Sequence, residues 1–290
     1  MILWLNYTNK GFKTMEEKQY RMDFDAFLRS FKQSKNGSFA FLLGAGASIT
    51  SGVQSAEDCI WDWKKLIYVS NNSTNEAFLD IHSDCCRKKI QTWLNEQGGY
   101  PKEKSDEEYV FYAEKAFPLP GDRTRYFESL CFDKNPNIGY KLLCLLHKYR
   151  ALKSVWTTNF DGLVERAAHQ ANITPININL DNPERIHRTE NSQELLYIAL
   201  HGDYKYSELK NTATELDSQQ GTFKDRLKEY FVDKNLIVIG YSGRDKSLME
   251  ALTDAFSCPG AGRLYWCGYG SFINEDVKYL LTAARNAGRD

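Results

Sequence analysis

The amino-acid sequence predicts an α/β domain organised as a doubly wound parallel sheet, with a small helical lobe inserted at about residues 70–137. Two observations lead there. Apolar runs of strand length alternate with helical patterns, as strands joined by crossover helices require. The interval between the first two of these runs is also far longer than a crossover needs.

Residues 1–34 read as an N-terminal arm and a helix. The opening "MILWLNYTNKG" is too short to span a bilayer and lacks the charged front and cleavage site of a signal peptide. From Met15 the text turns helical, with Met22, Phe24, Phe27, Leu28 and Phe31 at helical spacing. The domain proper is read as residues 35–290. Phe39 to Leu43 is a buried strand that runs straight into glycine. The long interval that follows is aromatic and helical, broken by "NEQGGYPKEKSDEE" and "PLPGDRT", and is assigned to a lobe over the ligand-binding edge of the sheet. Helix Leu142 to Tyr149 then leads to strand Lys153 to Thr157, and helix Asp161 to Ala171 follows it. Strand Leu195 to Leu200, helix Phe223 to Phe231, strand Leu236 to Ile239, helix Ser247 to Phe256 and strand Leu264 to Cys267 complete the alternation. The last residues, "DVKYLLTAARNAGRD", stop inside a helical pattern, and the chain is expected to be one piece of a longer polypeptide.

Composition narrows the function. With 37 basic against 38 acidic residues, no overall field favours nucleic acid or an anionic membrane, and neither is expected as a direct partner. The seven cysteines are odd in number and form no CxxC pair, which argues against a disulfide framework and a zinc ribbon. A reducing, cytoplasmic setting without bound zinc is expected.

Chemistry-bearing residues cluster at strand ends. In "FAFLLGAGASITSG", Gly44 and Gly46 match the first two glycines of a GxGxxG dinucleotide turn, but Ile49 occupies the third position. No GK[ST] follows, so a Walker loop is excluded. The next strand ends in Thr157, Thr158, Asn159 and Asp161, a later one in His201 and Gly202, and another in Gly240, Ser242 and Gly243. In a Rossmann-like parallel sheet such ends converge on one crevice. Each residue also has a plainer reading. Asn159 and Asp161 could cap the helix near Gly162, His201 could be a buried structural histidine, and Arg244 and Asp245 could start a helix. Trp61, Trp63, Leu66 and Ile67 read as core, and the remaining histidines as structural or solvated.

In order, "GAGAS" with "SGVQSA", "TTNFD", "LHG" and "GYS" resemble the motif series of the sirtuin-like superfamily. The departures are as informative. The two CxxC pairs of sirtuin deacylases are missing, their Phe-Arg is replaced by "SAEDCIWDW", and Thr158 stands where they carry Gln. This variant resembles the NAD-hydrolysing domains of bacterial anti-phage defence proteins, which are usually fused or bound to a sensor. The resemblance implies NAD as substrate, Asn159 and His201 as catalytic residues, and Asp161 reading the nicotinamide carboxamide. It also implies that Gly44, Ala45, Gly46 and Ser48 cradle the diphosphate, with Thr158 in the cofactor site and Gly240 and Ser242 along the phosphate and adenine-ribose side. Self-association and a fused or bound sensor are the implied partners.

The chemistry agrees with these residue types. Nicotinamide leaves NAD from an already cationic state, so its departure needs no proton donor, unlike ordinary glycoside hydrolysis. A polar group to hold water and a base suffice. Asn159 offers a carboxamide and His201 an imidazole that accepts a proton near neutral pH. Two other classes stand beside this one: a non-catalytic module sensing NAD or ADP-ribose, and a zinc-free deacylase or ADP-ribosyltransferase.

Overall fold

A computed structural model describes residues 2–4, 21–34, 38–72, 79–105, 107–179, 193–200, 220–268 and 273–289. The strands are β1 (Ile2–Trp4), β2 (Arg21–Met22), β3 (Phe39–Leu43), β4 (Leu152–Thr157), β5 (Thr174–Asn179), β6 (Glu194–Ala199), β7 (Asn235–Ile239) and β8 (Leu264–Gly268). They form one parallel eight-stranded sheet in the order β2-β1-β8-β7-β3-β4-β6-β5. The helices are α1 (Phe24–Gln33), α2 (Ala56–Asn71), α3 (Asp84–Gln97), α4 (Glu108–Ala116), α5 (Pro120–Cys131), α6 (Ile138–Lys148), α7 (Leu163–Gln170), α8 (Gln220–Phe231), α9 (Lys246–Ser257) and α10 (Glu275–Asn286).

Side chains of a strand point alternately to its two faces, and β3 divides accordingly. Ala40 and Leu42 join a core with Leu227, Phe231, Leu252, Phe256 and Leu280 of α8, α9 and α10. Phe39, Phe41 and Leu43 join the opposite core with Phe27, Tyr140, Leu143, Leu163 and Val164 of α1, α6 and α7. Helices therefore cover both faces, which is why the central strands read as continuous apolar runs rather than alternating ones.

The predicted strands at Phe39, Lys153, Leu195, Leu236 and Leu264 are all present. β5 was not anticipated. Its text, "TPININ", carries a proline and two asparagines, which read as loop, and proline is tolerated there because β5 is an edge strand. At the N-terminus, Ile2 to Trp4 is no free arm, since it pairs with β8 in the register Ile2 with Trp266. The helix begins at Phe24, where the Asp23 side chain accepts a hydrogen bond from the Ala26 N–H at 2.7 Å.

Helices α2 to α5 enclose a third core around Trp63, Ile90, Leu94, Tyr112 and Phe127. Its first member is Cys59, so α2 packs with this group of helices ahead of residue 70. A capping box starts α2, with Ser55 Oγ accepting from the Asp58 N–H at 3.1 Å and Asp58 Oδ2 accepting from the Ser55 N–H at 3.2 Å. The core contains a charge. Lys64 Nζ donates to Gln91 Oε1 at 2.9 Å and Glu108 Oε1 at 2.5 Å, and it lies 4.4 Å from the Trp61 ring centroid. The Phe127 ring also packs against that of Phe160, between Asn159 and Asp161, with centroids 4.2 Å apart and planes tilted by 59°, which ties these helices to the strand ends.

Candidate active site

β7, β3, β4 and β6 are neighbours whose carboxyl ends are level, since Leu43 pairs with both Thr157 and Ile239 and Thr157 pairs with Ala199. Backbone bonds continue the ladder past the strands. The Gly44 N–H donates to Ile239 O at 2.9 Å, Gly46 N–H to Gly240 O at 2.9 Å, Thr158 N–H to Leu43 O at 3.1 Å and Leu200 N–H to Thr157 O at 2.8 Å. This close approach explains the glycines. A Cβ on Gly44 would lie 2.5 Å from Tyr241 Cα, and one on Gly46 2.9 Å from Gly240 Cα. Gly240 itself has φ of +67°, a conformation other residues adopt at a cost. The glycines of the first and last motifs are thus required by each other.

Asn159 stands at the centre. Its Nδ2 donates to Gly44 O at 3.0 Å and to Ser48 Oγ at 3.0 Å, and its own N–H donates to Thr157 Oγ1 at 2.9 Å. Because Gly44 O can only accept, the carboxamide is oriented unambiguously, and Oδ1 has no partner among the described residues. Ser48 Oγ donates to Asp161 Oδ2 at 2.5 Å and lies 2.8 Å from the Tyr140 hydroxyl. A hydroxyl has one proton, so with Ser48 donating to Asp161 it accepts from both Asn159 and Tyr140. Asp161 Oδ1 accepts from the Leu163 N–H at 2.9 Å. All four side chains are buried. Burial raises the Asp161 pKa against the opposing pull of Ser48, the Leu163 N–H and Arg166, and it pushes the Tyr140 hydroxyl up as well.

The hydrogen bonds of Asn159 and Asp161 differ with respect to the helix that follows. Asp161 does bond the first residue of α7, but the bonds of Asn159 run to the first motif and not to the helix. Ser48 and Asp161 face inward and bond each other, so they back Asn159 and do not present free groups to a ligand. The N–H groups of Gly44, Gly46, Ala47 and Ser48 are taken by backbone carbonyls, leaving Ala45 as the amide of that turn with no partner among the described residues. Gly46, Gly240 and Ser242 are exposed, and Ala45 and Thr158 half-buried, so these form the open rim. His201 and Gly202 lie outside the described residues. Asp245 caps α9 through the Leu248 N–H at 3.2 Å, as its plainer reading expects. Trp61, Trp63 and Ile67 are core.

Tyr140 is the member that sequence reasoning missed. It sits on α6, in text that reads as an ordinary amphipathic helix, and only the fold brings it to Ser48. Arg166 Nη2 also donates to Asp161 O at 2.5 Å, which fixes the turn from the other side.

Among the described residues no group of three His, Cys, Asp or Glu side chains could hold a metal, and no helix is long and apolar enough to cross a membrane. A sequence comparison with functionally characterised proteins found no match. Among solved structures, a sirtuin studied for its substrate affinity is 16% identical with a TM-score of 0.43, covering 92% of this chain and all of its own. A Sir2 homologue in complex with 2'-O-acetyl ADP-ribose is 16% identical with a TM-score of 0.41, covering 92% of this chain and 97% of its own. The family model described as a SIR2-like domain matches residues 153–288, from the strand leading into Asn159 to the last helix. Over that segment the chain is similar to a SIR2-like domain.

Proposed function

We propose that the protein is an NAD hydrolase that releases nicotinamide and ADP-ribose, and that it serves as the effector of a bacterial anti-phage defence protein. The observation that carries the proposal is the Asn159 carboxamide, fixed through Nδ2 by Gly44 O and Ser48 Oγ, with no partner for Oδ1 among the described residues. An oriented acceptor is suited to hold a water or a ribose hydroxyl. In the reaction the bond between ribose C1 and the pyridinium nitrogen breaks, and its electron pair leaves with nicotinamide as a neutral molecule. The water oxygen bonds C1, and the proton it sheds goes to a base, the role proposed for His201. Ser48, Asp161 and Tyr140 act behind Asn159 as positioning residues. The rim of Ala45, Gly46, Thr158, Gly240 and Ser242 is proposed to meet the diphosphate and riboses, with the Ala45 amide as one donor.

Constant NAD loss would harm the cell that makes the protein, so full turnover is proposed to need self-association or a fused or bound sensor, in a reducing cytoplasm. The contact of Phe160 with Phe127 supports this, since a shift of helices α2 to α5 would reach residues 159–161 directly. Quantifying nicotinamide released from NAD by the purified protein, at protein concentrations on both sides of any assembly seen by sizing, tests both parts. Release without any acylated peptide supports hydrolysis. Binding without release would favour the sensing module, and release only with a peptide would favour a deacylase.

A further inference from the structure

The buried face of α6 carries Tyr140, Leu143, Cys144 and His147 against the sheet, and Tyr140 reaches the site. Its outer face is as apolar as the inner one. Ile138, Leu142, Leu145 and Tyr149 are exposed by 63%, 49%, 47% and 74%. At helical spacing these positions fall within an arc of about 60°, one continuous stripe along the helix. Scattered apolar residues on a surface need no explanation, but an aligned row of four does. The stripe begins beside the site, because Asn137 at its head donates to Thr50 O at 2.6 Å through Nδ2 and to Ser51 Oγ at 3.0 Å through its N–H. Ile49, next to Ser48, is exposed by 52%.

The charges along the helix itself have one sign. Lys141, Lys148 and Arg150 are exposed, and no acidic residue occurs between Asn137 and Arg150. A second copy packing stripe to stripe would set these cations against their own equivalents, at a cost in like-charge repulsion. A ridge of side chains spaced four and three residues apart is best filled by the groove of another helix.

We propose that the outer face of α6 docks an amphipathic helix of a protein partner, with an apolar stripe flanked by Asp and Glu. The occupant lies one helix diameter from Ser48, on the far side of the helix that supplies Tyr140. The inference deepens the partner dependence proposed above, but its test reads binding and not turnover, so either can fail alone.

The test uses the full chain and two synthetic helices of about 18 residues, long enough to hold helical form. Both carry a leucine stripe, one flanked by glutamates and the other by lysines. Fluorescence anisotropy is expected to show the acidic helix binding at least about tenfold more tightly than the basic one, and more weakly as salt is raised. In Leu142→Gln/Leu145→Gln, the acidic helix is expected to lose about tenfold or more in affinity, with Tm unchanged because both residues are exposed. Equal binding of the two helices, or binding retained in the double variant, would overturn the proposal. So would self-association abolished by the same substitutions, which would make the occupant a second copy, or binding to phosphatidylserine vesicles through the same leucines, which would make it a membrane.

Discussion

Asn159→Ala is the substitution whose consequences the structure specifies most fully. It deletes two donors, to Gly44 O and Ser48 Oγ, from a residue only 8% exposed. Neither acceptor is orphaned. Gly44 O keeps the Ala47 N–H at 2.9 Å, and Ser48 keeps Tyr140 and Asp161. The stability cost is therefore that of two exchanged hydrogen bonds, about 0.5–1.5 kcal/mol each, and Tm should fall by roughly 2–6 °C at about 2 °C per kcal/mol for a domain of this size. NAD turnover should fall by about a hundredfold or more, since the group that holds the nucleophile is gone. Thermal denaturation and nicotinamide release measured on one preparation give both numbers. A variant destabilised as described that still cleaves NAD within about twofold of the parent, against the hundredfold expected, would refute the role given to Asn159.

Gly46→Val is expected to lower stability as well as NAD affinity, by about 1–3 kcal/mol, because its Cβ must displace Gly240, 2.9 Å away; chemical denaturation with an unchanged midpoint would contradict this. Asp161→Asn leaves one carbonyl oxygen for two donors, the Ser48 hydroxyl and the Leu163 N–H, and should destabilise by about 1–3 kcal/mol at neutral pH. Because burial raises the Asp161 pKa above 3.8, the folded parent holds that proton more tightly than the unfolded chain. The parent should therefore gain stability relative to Asp161→Asn as pH falls through the folded pKa towards 3.8, and a gap that narrows in denaturation curves would count against the buried carboxylate. Lys64→Met should cost about 3–5 kcal/mol by leaving Glu108 buried without its cation, with much of the loss recovered in Lys64→Met/Glu108→Leu; equal Tm values for the single and double variants would show the pair to be uncoupled.

The sequence-based reading recovered the alternation of the chain because the central strands are buried on both faces, and their apolar runs survive any uncertainty about helix or strand. It missed β5, whose proline and asparagines are permitted only by its edge position. It placed the lobe boundary at about residue 70, since nothing in the periodicity of α2 tells which core that helix fills. In the site, motif order brought Gly44, Asn159 and Gly240 to neighbouring strands, but the direction of each side chain was not legible. The motif resemblance implied ligand contacts for Ser48 and Asp161, and the fold turns the two side chains towards each other. Tyr140 left no signal, since a tyrosine on an amphipathic helix is ordinary until the helix is placed.

The central claim is that the chain directs water to the ribose carbon of NAD. Mass spectrometry of the products formed in ¹⁸O-labelled water tests it most directly. The account predicts nicotinamide and ADP-ribose in equal amounts, with the heavy oxygen of one water in each ADP-ribose. A cyclic product lacking that water, ADP-ribose attached to protein or an acyl group, or NAD recovered intact from the assembled and partner-bound protein would contradict it.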